Sequence, residues 1–93
     1  MSFEELKSYC NDVEKFVREL IIYLAKKGEK IIDTEIAMKY FKEICGEEID
    51  WFDIAETLLK LKHKGLLFGG IGYGGRYGIK TNVLILGKNL KVN

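Results

Sequence analysis

Residues 70–75 read Gly-Ile-Gly-Tyr-Gly-Gly, which matches the glycine fingerprint that seats a dinucleotide pyrophosphate. That chemistry needs a strand entering the glycines and a helix leaving them, so that the helix N-terminus faces the phosphates. The exit here, Arg76-Tyr77-Gly78-Ile79, has neither helical spacing nor a cap. The acid that would hold a ribose about twenty positions later is missing too, since no Asp or Glu follows Glu56. A dinucleotide site is not expected, and no cofactor is assigned. Glycines also let a loop come close to a surface. The side chains among and after them, Tyr73, Arg76 and Tyr77, combine a guanidinium suited to phosphate or the minor groove with phenols that can bond backbone oxygens. The competing reading is a surface hairpin whose aromatics pack on the core.

Other reactive groups are sparse. The single histidine, His63, lies in a lysine-rich stretch, and no Ser-His-Asp or Cys-His arrangement stands out, so an enzyme is not expected. Cys10 and Cys45 are far apart and have too few partners for a zinc site, so no metal is assigned. Lys, Glu and Ile are heavily used, Gln is absent and Met occurs twice, a bias resembling that of hyperthermophile proteomes, although the absence of proline does not support it. In such a setting an intracellular cysteine can be oxidised.

Charge is the stronger clue. The net charge of the 93 residues is only +1. Residues 1–56 hold all fourteen acids against eight Lys and Arg, while Lys60, Lys62, Lys64, Arg76, Lys80, Lys88 and Lys91 follow without any acid. The split places a positive field at one end of a near-neutral chain, and such a field attracts phosphates. A solvated lysine-rich surface is the plainer reading.

The apolar pattern supplies the elements. The longest apolar run, Leu20 to Ala25, is too short for a membrane span, and the acidic start is unlike a signal peptide, so an intracellular protein without membrane contact is expected. With 47% apolar residues the chain has enough for one core and is expected to form a single domain. Phe3, Leu6, Cys10, Val13, Val17, Leu20 and Leu24 step by threes and fours, which predicts a long first helix over 1–28 with a heptad seam. Tyr9, Phe16 and Tyr23 widen its apolar face. That face can serve a central helix, or the core on one side and a second chain on the other.

Residues 30–33 read as a short strand or link. Asp33 or Thr34 caps a second helix ending near Cys45-Gly46, and Asp50 caps a third through about Lys64. Together these make a helix-turn-helix over 33–64. Asp53, Glu56, Thr57, Lys60, His63 and Lys64 fall on the outward face of the third helix. Residues 65–81 then form a hairpin, with Gly74-Gly75 available for a two-residue turn. Residues 82–93 form a C-terminal segment, strand or helix, beginning with Asn82-Val83-Leu84-Ile85-Leu86.

Between about Lys30 and Thr81 this order resembles the winged helix-turn-helix fold of MarR-like regulators. The resemblance rests on Glu35-Ile36-Ala37, on Ile54-Ala55-Glu56-Thr57-Leu58-Leu59-Lys60-Leu61, and on Lys64-Gly65-Leu66-Leu67 at the helix-to-wing junction. In size and layout the chain is similar to small homodimeric winged-helix proteins of hyperthermophilic archaeal viruses. The resemblance implies an α+β domain whose third helix enters the major groove of double-stranded DNA while the wing touches the flanking backbone or minor groove. It also implies a homodimer built by the first helix and the C-terminal segment. By position, Thr57, Lys60, Lys64, Tyr73 and Arg76 would face DNA. Asp53 and Glu56 depart from the family pattern and keep open a winged helix that binds protein. A ligand-sensing role would need a pocket at the dimer junction, for which the residues give no sign. On the heptad seam of a dimer, Cys10 can meet its own copy and form an intersubunit disulfide; otherwise it packs as a buried thiol, as Cys45 is expected to do.

Overall fold

The computed structural model describes residues 3–80, with the side chains of Phe3 and Tyr73 outside that description. The C-terminal segment 82–93, and with it the choice between strand and helix, lies outside the described residues. A 3-10 helix, Phe3–Tyr9, leads to α1, Val13–Lys26; strand β1, Ile31–Ile32, is followed by α2, Thr34–Cys45, and α3, Trp51–His63. Strand β2, Leu67–Gly69, a 3-10 turn at Gly72–Gly74 and strand β3, Tyr77–Ile79, complete an α+β architecture.

Each of the three α-helices begins with an aspartate whose carboxylate caps its first turn. Asp12 accepts from Lys15 N at 3.2 Å, Asp33 from Ile36 N at 2.9 Å and Asp50 from Phe52 N at 2.9 Å. Each bond satisfies an amide that the helix itself leaves unpaired. The caps at Asp33 and Asp50 are the expected ones. The cap at Asp12 was not expected, and it divides the long first helix in two. Asp competes for backbone amides, so it starts a helix more readily than it continues one. The third helix closes with Gly65 N bonded to Lys62 O at 3.0 Å and Leu66 N to Leu61 O at 3.1 Å. That closure turns the chain sharply and drops Leu66 into the core, where it is fully buried.

The seam residues Leu6, Val17, Leu20 and Leu24 are buried within the chain's own core, beside Phe16, Phe41, Ile54, Leu58 and Leu61. Phe16 meets Phe41 edge to face, ring centres 5.0 Å apart. Of the two expected uses of the wide apolar face, the described residues show the central helix. Cys10 also departs from expectation. It is bonded to Cys45 of the same chain, Sγ to Sγ 1.98 Å, with Cα atoms 5.8 Å apart. A sulfur in one disulfide cannot form another, so the pairing of Cys10 with its own copy is replaced by a tie between the 3-10 helix and the end of α2. Cys10 lies in the short link between the 3-10 helix and α1, just before the cap at Asp12.

The sheet is antiparallel in the order β1-β3-β2, with Ile32 opposite Tyr77 and Leu67 opposite Ile79. Those four side chains face the core. Ile31 and Phe68, both opposite Gly78, occupy the outer face, and the Phe68 ring lies over that glycine.

The hairpin turns differently from the expected Gly74-Gly75 form. Positive φ angles fall at Gly69, Gly70 and Gly72, not at Gly74 or Gly75. Gly75 is needed for a different reason: a Cβ there would collide with the backbone nitrogen of Ile71 and sit 2.7 Å from the Gly70 carbonyl carbon. At Gly74 a Cβ would meet only the Trp51 ring, at 3.8 Å. Gly75→Ala is therefore expected to cost about 2 kcal/mol or more, and Gly74→Ala less than about 0.5 kcal/mol. Urea denaturation of the two variants checks this contrast, and equal destabilisation would contradict the packing described.

Candidate nucleic-acid interface

Helix α3 buries Ile54, Ala55, Leu58 and Leu61 on one side and leaves the opposite side open. The first turn of α1 runs beside that exposed side. An open groove of about 470 Å³ lies between them, lined by Val13, Asp53, Glu56, Thr57 and Lys60.

The two lysines assigned to DNA are brought together there by a residue that sequence reasoning missed. Lys60 Nζ donates to Glu14 Oε1 at 2.9 Å, and Lys64 Nζ donates to Glu14 Oε2 at 2.6 Å. One carboxylate thus serves both ammonium groups, one oxygen each. Glu14 is also well placed in the first turn of α1, where the helix dipole favours an acid. The hydrogen bonds from Lys64 and then Lys60 lower its carboxyl from 4.5 to about 2, against a smaller opposing effect of burial. The Lys60 ammonium is correspondingly held above its ordinary value by Glu14.

A carboxyl lowered by folding stabilises the protein above its unfolded value and loses that contribution as pH falls through the folded one. The window here runs from about 4.5 down to about 2. Because the pair is at the surface, its worth is discounted to about 1 kcal/mol. Wild type is expected to exceed Glu14→Gln by that amount near neutral pH and to match it at the acid end of the window. Thermal melts at both ends check the sign; a gap that widens in acid would contradict it.

Thr57 is on the same stripe, half-buried, and its hydroxyl donates to Asp53 O at 2.7 Å. The proton is thereby used within the helix, leaving the oxygen as an acceptor. Asp53 and Glu56, both exposed, add further acceptors beside it.

The hairpin is more closely held than a projecting finger. Tyr77 turns into the core, and its hydroxyl donates to Gly72 O at 3.0 Å, so it bonds a backbone oxygen of its own hairpin. Burial pushes the Tyr77 hydroxyl pKa up and keeps it protonated. The tip packs near Trp51 at the start of α3. Arg76 remains two-thirds exposed but its Nε lies 3.6 Å from Asp33 Oδ2, the acid that also caps α2. Tyr73 contributes its backbone to the 3-10 turn, and its side chain is outside the described residues. Lys60 and Lys64 thus share a partner, whereas Arg76 has a separate one. No local motif announces Glu14 as that partner, because the lysines follow it by 46 and 50 positions and meet it only after folding.

The glycines at 70–75 lead into strand β3 and not into a helix of their own. Among the described residues, no three His, Cys, Asp or Glu side chains are grouped to hold a metal ion, and no helix is long and apolar enough to cross a membrane.

Fold and site together define a small α+β protein with a three-stranded antiparallel sheet and a lysine-bearing helix set against an open groove. Comparison with protein-family models, with characterised proteins and with solved structures finds no match in any of the three.

Proposed function

We propose that this chain is a winged helix-turn-helix protein that binds double-stranded DNA as a homodimeric transcriptional regulator. The observation that carries the reading is the placement of Thr57, Lys60 and Lys64 on one open side of the third helix of a helix-strand-helix-helix-hairpin order. Inserted in the major groove, that side offers two phosphate ligands and a hydroxyl acceptor suited to the amino group of adenine or cytosine. Asp53 and Glu56 accept from cytosine amino groups in the same way and repel misplaced phosphates. Arg76 serves the flanking backbone from the wing. The dimer belongs to the proposal, and its contacts must come from residues outside the buried seam.

Selection of bound sequences from a random duplex pool tests the reading. A shared, roughly palindromic motif with half-sites about one helical turn apart is the expected result. Failure to retain any duplex at low salt would favour a second reading, a protein-interaction or assembly module. Phe52, Phe68 and Ile71 support that alternative, since all three are large apolar side chains left exposed.

A further inference from the structure

To engage Lys60 and Lys64 together, a nucleic-acid phosphate must occupy the space that Glu14 already fills. The carboxylate presents one anionic oxygen to each ammonium, at 2.9 and 2.6 Å, as the two free oxygens of a phosphodiester would. The pairing lies at the surface: Lys60 is 61% exposed, Lys64 39% and Glu14 31%. Exposed pairs of this kind are held weakly, so an incoming anion can replace one. A second open groove of about 210 Å³, lined by Asp12, Glu14, Lys15 and Arg18, gives the Glu14 side chain room to move aside.

We propose that Glu14 is a built-in competitor for a DNA phosphate and thereby sets the affinity of α3 for a duplex. This inference rests on the nucleic-acid reading above. Glu14 remains tethered one helix away, so it competes at an effective concentration of about millimolar or more, whatever the sequence of the duplex. Contacts through phosphates alone must meet that cost without compensation. A site that also supplies base donors to Thr57 and Asp53 offsets it. The ion pair of Arg76 with Asp33 repeats the pattern in the wing, but Asp33 also caps α2 and cannot be changed without disturbing the helix.

The test uses the full chain and a labelled random-sequence duplex of about two helical turns, with affinity followed by fluorescence anisotropy over a range of salt. Glu14→Gln keeps the shape of the side chain and removes its charge. It is expected to bind about 3- to 5-fold more tightly at about 100 mM salt, with a log–log salt slope steeper by about one. Glu48→Gln removes the same charge from a different surface pair, that with Lys42, and is expected to leave affinity unchanged within about twofold. If Glu14→Gln does not fold, Glu14→Asp carries the test, because it draws the carboxylate back by one methylene and is expected to bind more tightly than wild type. Equal or weaker binding by both Glu14 variants, alongside a wild type that binds, would overturn the inference and leave the nucleic-acid reading standing. An equal gain from Glu48→Gln would overturn it too, as an effect of net charge alone. If wild type and variants all fail to bind at low salt, the nucleic-acid reading itself fails and this inference with it.

Discussion

Breaking the Cys10–Cys45 bond is expected to lower the melting temperature by about 15–25 °C. The bond closes a sequence separation of 35 residues, and a cross-link over such a loop restricts the unfolded chain by about 4 kcal/mol. It also fastens a segment with little else to fix it. Residues 3–9 form a 3-10 helix, whose hydrogen bonds are poorer than those of an α-helix, and Leu6 is its one buried hydrophobic anchor among the described side chains. The measurement is calorimetry of wild type with and without reductant, beside the Cys10→Ser/Cys45→Ser double variant. Wild type should also run at single-chain mass on a non-reducing gel. A shift below about 5 °C, or a cross-linked dimer on that gel, would contradict the intrachain tie.

Removing Lys60 and Lys64 together is expected to have the largest effect on binding. Lys60→Ala/Lys64→Ala should weaken duplex affinity about 30- to 100-fold at about 100 mM salt and flatten the salt slope by about one, for the phosphate that the two lysines share. The double variant also strips Glu14 of both partners, so it should melt a few degrees lower, in keeping with the removal of a surface ion pair. The two readouts separate binding from folding. A variant that melts like wild type and binds like wild type would remove α3 from the interface.

Local chemistry made most of the elements legible. Asp33 and Asp50 announced α2 and α3 because a cap acts on amides two or three residues away, and Gly65 marked the turn into the hairpin for an equally local reason. The outward placement of Thr57, Lys60 and Lys64 followed from helical spacing once the inward face was known. Long-range contacts were less legible. The periodicity of Phe3 to Leu24 suggested one continuous seam, yet Asp12 interrupts it and the bond to Cys45 redirects the segment before it. The glycine pattern predicted a hairpin but not its turn, because the decisive feature is the close approach of Gly75 to the Ile71 backbone. Tyr77 has the composition of a wing residue and the position of a core residue: strand alternation beside Ile32 points it inward. The acids that hold the cations, Glu14 and Asp33, were the least legible, since each lies in another element from the charge it meets.

The most direct test of a DNA-binding role is the salt dependence of wild-type affinity for a duplex, starting from about 50 mM. If Lys60 and Lys64 share one phosphate and Arg76 neutralises another, log affinity falls against log salt with a slope of about −2 for each bound protomer. No measurable binding at the lowest salt, or an affinity indifferent to salt, would contradict a phosphate-gripping face on this protein.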